Sequence, residues 1–511
     1  MPSSPNFGAA APRITNVAVQ LRSDMPQLLL DVMCEIKRRT GARVHGYVTT
    51  REQMRHYRAL DARGVFDSLS DHNHVLRAID EPLPPESEIL AEARAFEARL
   101  GTTYNRIALT NRHLGRGYAL LGPRHPRSRQ FERATYAHLM HGYNQVFGFW
   151  EREIDARGID LFLATGKEIA TVSRARAIPY RGLYGSRLRN LHFWGDDEYR
   201  DSAWVRARFT ELMRERHVPE IDLDEPYDLA RINHARALRE ASAIFAAGAI
   251  ARQALRHAYW RLRGYEKGRG YRLGDEAALL WRRHREWRDV AGAKAVSLEA
   301  LAGKTFIFFP LQTEPETSIQ QGSPEYFYQH AAIAALSRDL PAGMLIAVKE
   351  TPYGIGRRPA GFYEQLRALK NVVLLDIETR GFDAVRASRA VATLVGTAGF
   401  EAAVMGKPVI SFGRHNIYDC VPHVFVVRDE GEMPTLIARA LDDTFSTAES
   451  RLAGRRFLQA VADCSFDLGA YSYREKSGQT ADTVTACVDN LMTSLESPAS
   501  AAEIGTWGRR A

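Results

Sequence analysis

The stretch from Ala390 to Gly413, AVATLVGTAGFEAAVMGKPVISFG, constrains the fold of this chain more than any other. Val391–Val395 is a short apolar, partly β-branched run that ends at Gly396. Phe400–Met405 has the length of one or two helical turns, and a second apolar run, Pro408–Phe412, follows almost at once. The order strand, glycine turn, helix and strand predicts a βαβ unit, which is the building block of a parallel sheet.

The glycine turn of this unit is a candidate ligand site. Thr397 and Gly399 are small enough for a ligand to approach the backbone, and free N–H groups at a helix start attract phosphate. Glu401 lies one turn into the helix, where its carboxylate can accept hydrogen bonds from ribose hydroxyls. An ordinary strand-to-helix turn with a solvated glutamate has the same spacing. The residues alone therefore leave both interpretations open.

Three sequence blocks resemble those of a known family. TAGFEAAVMGKPVISFG, followed by HNIYD, resembles the S/T-x-x-G-x-E-A-x-x-x-G-K-P-V signature of the bacterial capsule polysaccharide biosynthesis proteins. FIFFPLQTEPETSI at 306–319 resembles the family's F-P-L-x-x-x-P-E segment, and VKETPYG from Val348 resembles its K-E-H-P block. The three blocks occur in the order that the family has. This family includes Kdo transferases that act on capsule lipid anchors, and it has the two-domain GT-B glycosyltransferase plan.

The resemblance implies a nucleotide-sugar donor, such as a CMP-linked sugar, that is bound mainly by the second domain. It also implies a glycan or glycolipid acceptor in the first domain, transfer in the cleft between them, and no obligatory metal or other cofactor. One position departs from the family, because Thr351 stands where the family has the histidine before the proline. Threonine donates a neutral hydrogen bond and carries no positive charge. We therefore expect the donor contacts to differ, with Arg357 supplying the missing charge.

Length and composition indicate a two-domain globular protein. At 511 residues the chain exceeds what one core usually serves, and 45% apolar with 25% charged residues is an ordinary globular composition. The longest apolar-rich segment, Ala241–Ile250, is too short to span a bilayer, and the first residues do not resemble a signal peptide. Four cysteines lie far apart without metal-ligand spacing. These features predict a cytoplasmic protein.

Strand-like and helix-like patterns alternate in both halves of the chain and predict an α/β fold with two Rossmann-like domains that face a central cleft. The predicted division is residues 1–225 for an N-terminal acceptor domain and 303–470 for a C-terminal donor domain. A helical basic connector at 226–302 and a C-terminal helix and tail at 471–511 complete it. The strands are expected at 14–21, 42–48, 159–164, 305–310, 344–348, 372–375, 391–395 and 408–412.

The predicted connector concentrates the positive charge of the chain. Between residues 251 and 288 there are ten Arg and one Lys against three Glu and one Asp, out of a net charge of +8 for the whole chain. Aromatic residues are interleaved with these charges. Such a segment can lie on an anionic membrane surface, at the inner face of the plasma membrane, or it can be a solvated hinge whose aromatic rings pack on the domains. No nucleic-acid-binding motif accompanies it, so we predict no nucleic-acid partner.

Ligands of open parallel sheets bind beyond the carboxyl ends of the strands, where three polar segments of the second domain are expected to converge. Glu314 and Arg357 are the predicted catalytic residues, as proton acceptor and as the charge that stabilises the leaving phosphate. The predicted donor-binding residues are Gln312, Glu316, Lys349, Thr351, Arg358, Thr397, Gly399, Glu401 and His415.

Arginines of the first domain are the candidates for holding an anionic acceptor, because guanidinium groups bind phosphate or carboxylate at two points. These are Arg112, Arg116 and Arg187. A metal site is not predicted, since the Asp222-Leu-Asp224 motif lacks the apolar strand that should precede it. We predict a glycosyltransferase of capsular or other surface polysaccharide biosynthesis. The alternatives are a sugar-nucleotide epimerase or polyol-phosphate transferase, and a non-catalytic polysaccharide-binding or export partner.

Overall fold

The computed structural model describes residues 14–72, 77–118, 122–128, 134–223, 228–265, 270–443, 445, 447–500 and 502. Their strands form two sheets, one of seven strands and one of six. The predicted α/β class with two Rossmann-like domains is confirmed.

The first sheet belongs to the N-terminal domain. Its strands are β1 (Asn16–Gln20), β2 (Arg43–Val48), β3 (Ser68–Asp71), β4 (Leu161–Leu163), β5 (Tyr180–Gly185), β6 (Leu191–Gly195) and β13 (Phe466–Asp467), in the order β13-β6-β5-β4-β1-β2-β3. Five neighbouring strands, β5, β4, β1, β2 and β3, run parallel to one another, whereas β6 is antiparallel to both of its neighbours, β5 and β13. The central strand β1 pairs with β2 on one side and with β4 on the other.

The second sheet is parallel throughout. Its strands are β7 (Phe306–Pro310), β8 (Leu345–Lys349), β9 (Val372–Leu375), β10 (Ala390–Thr393), β11 (Val409–Ser411) and β12 (Val424–Val426), in the order β12-β11-β10-β7-β8-β9. From β7 the chain adds β8 and β9 on one side, and it then returns to add β10, β11 and β12 on the other side. The order of the strands therefore reverses between β7 and β10. That reversal is a topological switch point, where ligands bind in open α/β sheets.

Helices cover the sheets and connect them. The α-helices before the second sheet are Pro26–Thr40, Arg51–Leu60, Glu86–Leu100, Tyr104–Ala108, Tyr136–Arg157, Lys167–Ala175, Ala203–Arg214, Asp228–Arg239, Ala243–Leu262 and Leu273–Glu286. Those that follow are Thr317–Gly322, Gln329–Asp339, Phe362–Ala368, Gly381–Ala387, Thr397–Val404, Met433–Leu441, Thr447–Asp463 and Ala481–Glu496. The described residues of the helical connector predicted at 226–302 form three α-helices, with short 3-10 turns after the last of them.

The structure divides the chain differently from the predicted boundaries. Strand β13 and the Ala481–Glu496 helix return to the N-terminal domain, where Phe466 and Leu491 are buried in its core. The Ala203–Arg214 helix packs on the C-terminal domain instead, with the rings of Phe209 and Phe457 in edge contact at 5.8 Å. Apolar periodicity predicts that a helix covers a sheet, but it does not determine which of two sheets. The predicted boundary at 225 lies outside the described residues.

Candidate active site

A cleft of about 1090 Å³ separates the two sheets. In the first sheet its walls follow the carboxyl ends of β1, β4 and β5, and in the second sheet they follow those of β7 to β11. The carboxyl ends of both sheets thus face one cavity, as predicted for the second domain. Its polar lining includes Arg22, Thr165, Ser186, Arg187, His192, Glu198, Gln312, Glu316, Lys349, Thr351, Arg380, Thr397, Glu401, His415, Asn416 and Tyr473.

The predicted glycine turn lies at the centre of this lining. Gly396 has a φ of 119°, which favours glycine, and a Cβ there would stand 2.9 Å from the Gln312 amide nitrogen. The Thr397–Val404 helix begins directly after it, and no side chain caps the first amides. Uncapped amides at a helix start are hydrogen-bond donors for an anion. Thr397 lines the cleft, so the structure places it where a phosphate can approach.

Gly399 has a different role from the one predicted. It is buried and does not line the cleft, because the helix packs against Tyr418 at this point. A Cβ on Gly399 would lie 2.3 Å from the Tyr418 hydroxyl oxygen and 2.8 Å from Thr393 Cγ2. The glycine of the TAGFE motif therefore allows close packing of helix on loop, and the ligand-facing positions of the turn are the residues before it.

Glu401 lies in the cleft wall with only 5% of its surface exposed. Burial raises the pKa of its carboxyl from 4.5 to about 8, and the nearby Arg187 guanidinium opposes that rise. Arg187 reaches across the cleft from the N-terminal domain and donates a hydrogen bond to the Gly396 carbonyl oxygen. The predicted acceptor arginine is thus placed on the predicted donor turn. Residues 187 and 396 belong to different domains, so no local sequence pattern predicts this contact.

The carboxyl end of β8 brings a second cation to the cleft. Lys349 is 7% exposed, and burial lowers the pKa of its amine to about 8, although Glu350 and Asp376 raise it. Its Nζ donates to the Glu350 carbonyl oxygen at 3.3 Å. Thr351 also lines the cleft, and its N–H donates to a Glu350 carboxylate oxygen at 2.6 Å. The structure therefore places both residues where the sequence predicted them.

Arg358 is held in a buried ion pair and is not part of the cleft lining. Its Nε and Nη2 donate to the two carboxylate oxygens of Glu350 at 2.6 and 2.8 Å, and both side chains are 1% exposed. Tyr363 donates to the same carboxylate at 2.9 Å, and Arg358 also donates to the Gln312 carbonyl oxygen at 2.7 Å. This pair ties the loops after β7 and β8 together. We therefore correct the predicted donor contact of Arg358 to a role in holding these loops.

The predicted residues of the loop after β7 separate into two groups. Gln312 and Glu316 line the cleft. Glu314 points the other way: it is 2% exposed, its Oε2 accepts from Gln329 at 3.3 Å, and burial raises its pKa. The structure does not bring the Glu314 carboxylate to the cleft, because this side chain is buried beneath the loop against Gln329. The proton-acceptor role predicted for Glu314 has no geometric support.

Three predicted arginines form a cluster outside the cleft lining. Arg112, Arg116 and Arg357 lie close enough to lower the pKa of the buried His125, in addition to the effect of burial itself. Burial, together with the nearby Arg112 charge, lowers the pKa of Arg357 to about 10. His125 accepts or donates a hydrogen bond with Tyr271 of the connector at 3.1 Å. This basic cluster joins the N-terminal domain, the connector and the loop after β8, and its predicted catalytic and acceptor roles stay predictions.

His415 forms a contact across the cleft. Its ring stacks on Tyr199 of the N-terminal domain at 3.9 Å with an 11° angle between the planes. Its Nε2 lies 3.2 Å from a Glu325 carboxylate oxygen, and Glu325 also pairs with Arg106. His415 therefore lines the cleft as predicted, and it also helps to hold the two domains together.

The N-terminal domain also contributes polar residues to the cleft that no sequence pattern predicted. His192 faces the cleft, with its Nε2 2.6 Å from the Tyr473 hydroxyl and its Nδ1 2.9 Å from the Asn190 carbonyl oxygen. Burial lowers the pKa of His192 to about 4, so the ring is neutral near pH 7. Tyr473 comes from the segment after β13, which no local pattern assigns to the first domain. Arg22 follows the carboxyl end of β1, and this position was the one sequence signal that could have predicted its place in the cleft.

No cluster of three or more His, Cys, Asp or Glu side chains suited to a metal ion occurs in the described ranges. Asp222 of the D-x-D motif accepts a hydrogen bond from Arg451 Nη2 at 2.8 Å instead, and Asp224 lies outside the described residues. Independence from metal stays a prediction.

Residues 208–421 match the model of the capsule polysaccharide biosynthesis protein family, which is somewhat less than half of the chain. The match includes the glycine turn, both polar loops and the connector, and it confirms the family resemblance inferred from the three sequence blocks. No match is found among curated proteins.

Solved structures with a similar chain course include the β-Kdo 2,7-transferase KpsC of Thermosulfurimonas dismutans, with 16% identity, a TM-score of 0.29, and coverage of 61% of this chain and 90% of that one. The UDP-GlcNAc 2-epimerase of Methanocaldococcus jannaschii has 9% identity and a TM-score of 0.23, covering 88% and 99%. The calicheamicin glycosyltransferase CalG4 has 11% identity and a TM-score of 0.27, covering 95% and 99%. Similarity at this level establishes neither a substrate nor a reaction for this chain.

Proposed function

We propose that this protein is a glycosyltransferase of capsular or other surface polysaccharide biosynthesis. It transfers a sugar from a nucleotide-activated donor to a glycan or glycolipid acceptor. The observation that carries this proposal is the arrangement around the glycine turn: uncapped helix amides, Arg187, Lys349 and the buried Glu401 all border one cleft between two Rossmann-like sheets. The family match over residues 208–421 supports the same function.

The donor nucleotide fits the C-terminal wall of the cleft. Its phosphate lies at the amides after Gly396, where Arg187 and Lys349 supply positive charge, and its ribose hydroxyls donate to Glu401. In the transfer step the acceptor hydroxyl oxygen bonds to the anomeric carbon and releases its proton to solvent. The bond from that carbon to the phosphate oxygen breaks, and its electron pair stays on the phosphate. The departing phosphate gains negative charge, which fixed cations stabilise without reorganisation. Lys349, with a pKa of about 8, is mostly protonated at neutral pH.

This arrangement changes the prediction of which residue replaces the positive charge of the family's histidine, where this chain has Thr351. Thr351 borders the cleft beside Lys349, whereas Arg357 lies in the basic cluster outside the lining. We therefore propose that Lys349 and Arg187, in place of Arg357, supply the charge that a threonine cannot. A cytoplasmic location and the acceptor-binding role of the basic cluster remain part of the proposal.

The direct test is protection of the purified protein against thermal unfolding by a panel of nucleotide sugars, CMP-linked sugars included. A ligand that binds the native state raises the unfolding temperature by mass action. A stabilising nucleotide sugar that is slowly hydrolysed without acceptor supports a transferase. Interconversion of the free nucleotide sugar would identify an epimerase, and transfer of a polyol phosphate would identify that class. Binding of polysaccharide with no nucleotide ligand would instead indicate an export or binding partner.

A further inference from the structure

One face of the Ala243–Leu262 helix in the connector is apolar and exposed. Ile244, Leu255, Tyr259 and Leu262 have 87%, 73%, 50% and 86% of their surface exposed. With 3.6 residues per turn, the spacings from 244 to 255 and from 255 to 262 return to the same side of the helix. Ala251 lies on that side between them and is also exposed. These five residues are called the docking face.

Exposed apolar side chains are scattered singly on most soluble proteins, but here they are concentrated. Of the nine large apolar residues recorded as exposed among the described residues, four lie on this face, and Ile232 and Trp281 lie on neighbouring connector helices. A contiguous exposed apolar surface marks an interaction site, since its hydration is unfavourable. The face runs over about 27 Å of helix, taking 1.5 Å per residue from 244 to 262.

The charge around the docking face identifies its partner. The helix contains no Asp or Glu, and its arginines, Arg252, Arg256 and Arg261, are all exposed. By helical geometry the first two border one edge of the face and Arg261 lies beyond the other. Arg252 lies over the Phe245 ring at 6.0 Å and Arg256 over the Trp260 ring at 4.8 Å. An apolar stripe bordered by arginines on both sides complements lipid acyl chains beneath anionic headgroups.

Two further observations separate this helix from the rest of the basic connector. Arg282 of the next helix donates to the backbone carbonyls of Gly356 and Arg124 at 3.1 and 2.8 Å, and the Arg283 side chain is 12% exposed. Those arginines are therefore committed to protein contacts. In addition, no helix of the described part of the chain is long and apolar enough to cross a membrane. A helix that meets lipid here does so in the plane of the interface.

We propose that the docking face binds the surface of an anionic lipid bilayer, with Ile244, Leu255 and Leu262 entering the acyl boundary and the flanking arginines contacting headgroups. The proposal is independent of the sugar-transfer function, since no residue of the docking face lines the cleft.

The test is sedimentation of the full-length protein with vesicles of phosphatidylcholine alone or mixed with phosphatidylglycerol, at low and high salt. We expect binding to the mixed vesicles that weakens with salt. Arg252→Gln, Arg256→Gln and Arg261→Gln together should lower the vesicle affinity about 100-fold. Each arginine near an anionic membrane surface raises the affinity by a similar factor of about five, and the three factors multiply. Leu255→Ser with Leu262→Ser should lower it about tenfold or more through lost apolar burial.

Matched controls keep the result specific. Arg58→Gln, Arg94→Gln and Arg214→Gln remove three exposed arginines elsewhere, and Tyr136→Ser with Val218→Ser removes two exposed apolar residues elsewhere. Both control variants should bind vesicles as the unaltered protein does. All variants should keep the protection that a nucleotide sugar gives against thermal unfolding, so that loss of lipid binding is distinguished from failure of the cleft.

Three outcomes would overturn the proposal. The first is an unaltered protein that does not sediment with anionic vesicles at low salt. The second is equal loss of binding in the docking-face and control variants, which would indicate a non-specific charge effect. The third is a dimer in solution that becomes a monomer in Leu255→Ser with Leu262→Ser, because the face would then be covered by a second copy of the chain.

Discussion

Replacing Glu401 by glutamine tests the proposed donor site most sharply, because the carboxyl titrates in an accessible pH range. Glutamine has nearly the same size and stays neutral, so it fits the buried position. Burial holds the pKa of Glu401 at about 8 in the free protein. The carboxyl is therefore mostly protonated at pH 6, and only its ionised form accepts hydrogen bonds at both oxygens from a ribose diol.

The expected magnitude follows from that pKa. If the donor binds the ionised form, the affinity rises with the ionised fraction, from about 1% at pH 6 to about one half at pH 8 for a pKa of about 8. Lys349, whose pKa is also about 8, loses about half of its charge by pH 8, so the affinity of the unaltered protein should rise about 25-fold over this range. The Glu401→Gln variant should show no such rise. At a pH where Glu401 is ionised, the variant should bind the donor about tenfold to a hundredfold more weakly than the unaltered protein does. This is the loss expected for one hydrogen bond to a charged group.

Stability gives an independent reading of the same titration. The folded-state pKa of about 8 exceeds the reference value of 4.5, so between these values the folded protein holds a proton that the unfolded chain has lost. The free energy of unfolding therefore falls as the pH rises through this window. The full fall is at most about 5 kcal/mol, from about 1.4 kcal/mol for each of the 3.5 pH units. Glu401→Gln should flatten this part of the stability profile.

The assay is calorimetric or fluorescence titration with the stabilising nucleotide sugar at a series of pH values, with urea unfolding in parallel. Asp419→Asn is the matched control, because burial raises the pKa of Asp419 to about 7 and its carboxylate is bonded to Ser411 and Asn416 instead of facing the ligand. This variant should keep the pH dependence of donor binding. A pH-independent donor affinity in the unaltered protein, matched by the Gln variant, would refute the ribose assignment.

Three further changes test other parts of the site. Arg187→Ala removes the charge that opposes the raised pKa of Glu401, so the pH midpoint of donor binding should move upward in the same titration. Glu350→Gln leaves Arg358 buried without its ionic partner and should lower the free energy of unfolding by about 3 to 5 kcal/mol in urea; an unchanged value would show that the pair does not hold the loops. Gly399→Ala should destabilise by about 1 to 3 kcal/mol despite the better helix propensity of alanine, because its Cβ meets the tyrosine beneath the helix; equal or greater stability on thermal unfolding would contradict this packing.

Local chemistry allowed much of the donor half to be predicted from sequence. Strand β9 occupies the predicted residues, and the other predicted strands of the second sheet lie within one or two residues of their expected ends. Apolar runs of strand length separated by helical patterns determine these elements, since each run must be buried on both faces. Gln312, Glu316, Lys349 and Thr351 follow strand ends and line the cleft for that reason.

The sequence was least informative about direction and partnership. Arg358 directly follows Arg357, and two adjacent arginines with the same propensities enter different environments: one is paired with Glu350 beneath the loop and the other joins Arg112 at the connector. Glu314 likewise has the right residue type near the right strand end, yet its carboxylate is buried away from the cavity. The loop backbone determines where each side chain points, and motif spacing does not encode it.

The sequence by itself thus determined the α/β class, the parallel second sheet, the glycine turn and the loops that border it, because these depend on residues close together in the chain. It predicted a parallel first sheet as well, and the antiparallel strand β6 there is a correction that the structure makes. Only the tertiary structure decided that Arg187 reaches the glycine turn, that the last helix returns to the first domain, and that one face of the connector helix is exposed. The first two depend on packing between segments that are hundreds of residues apart. The third depends on the lack of any described segment that packs on that helix face. Such contacts are decided by which apolar surfaces the whole chain can bury together.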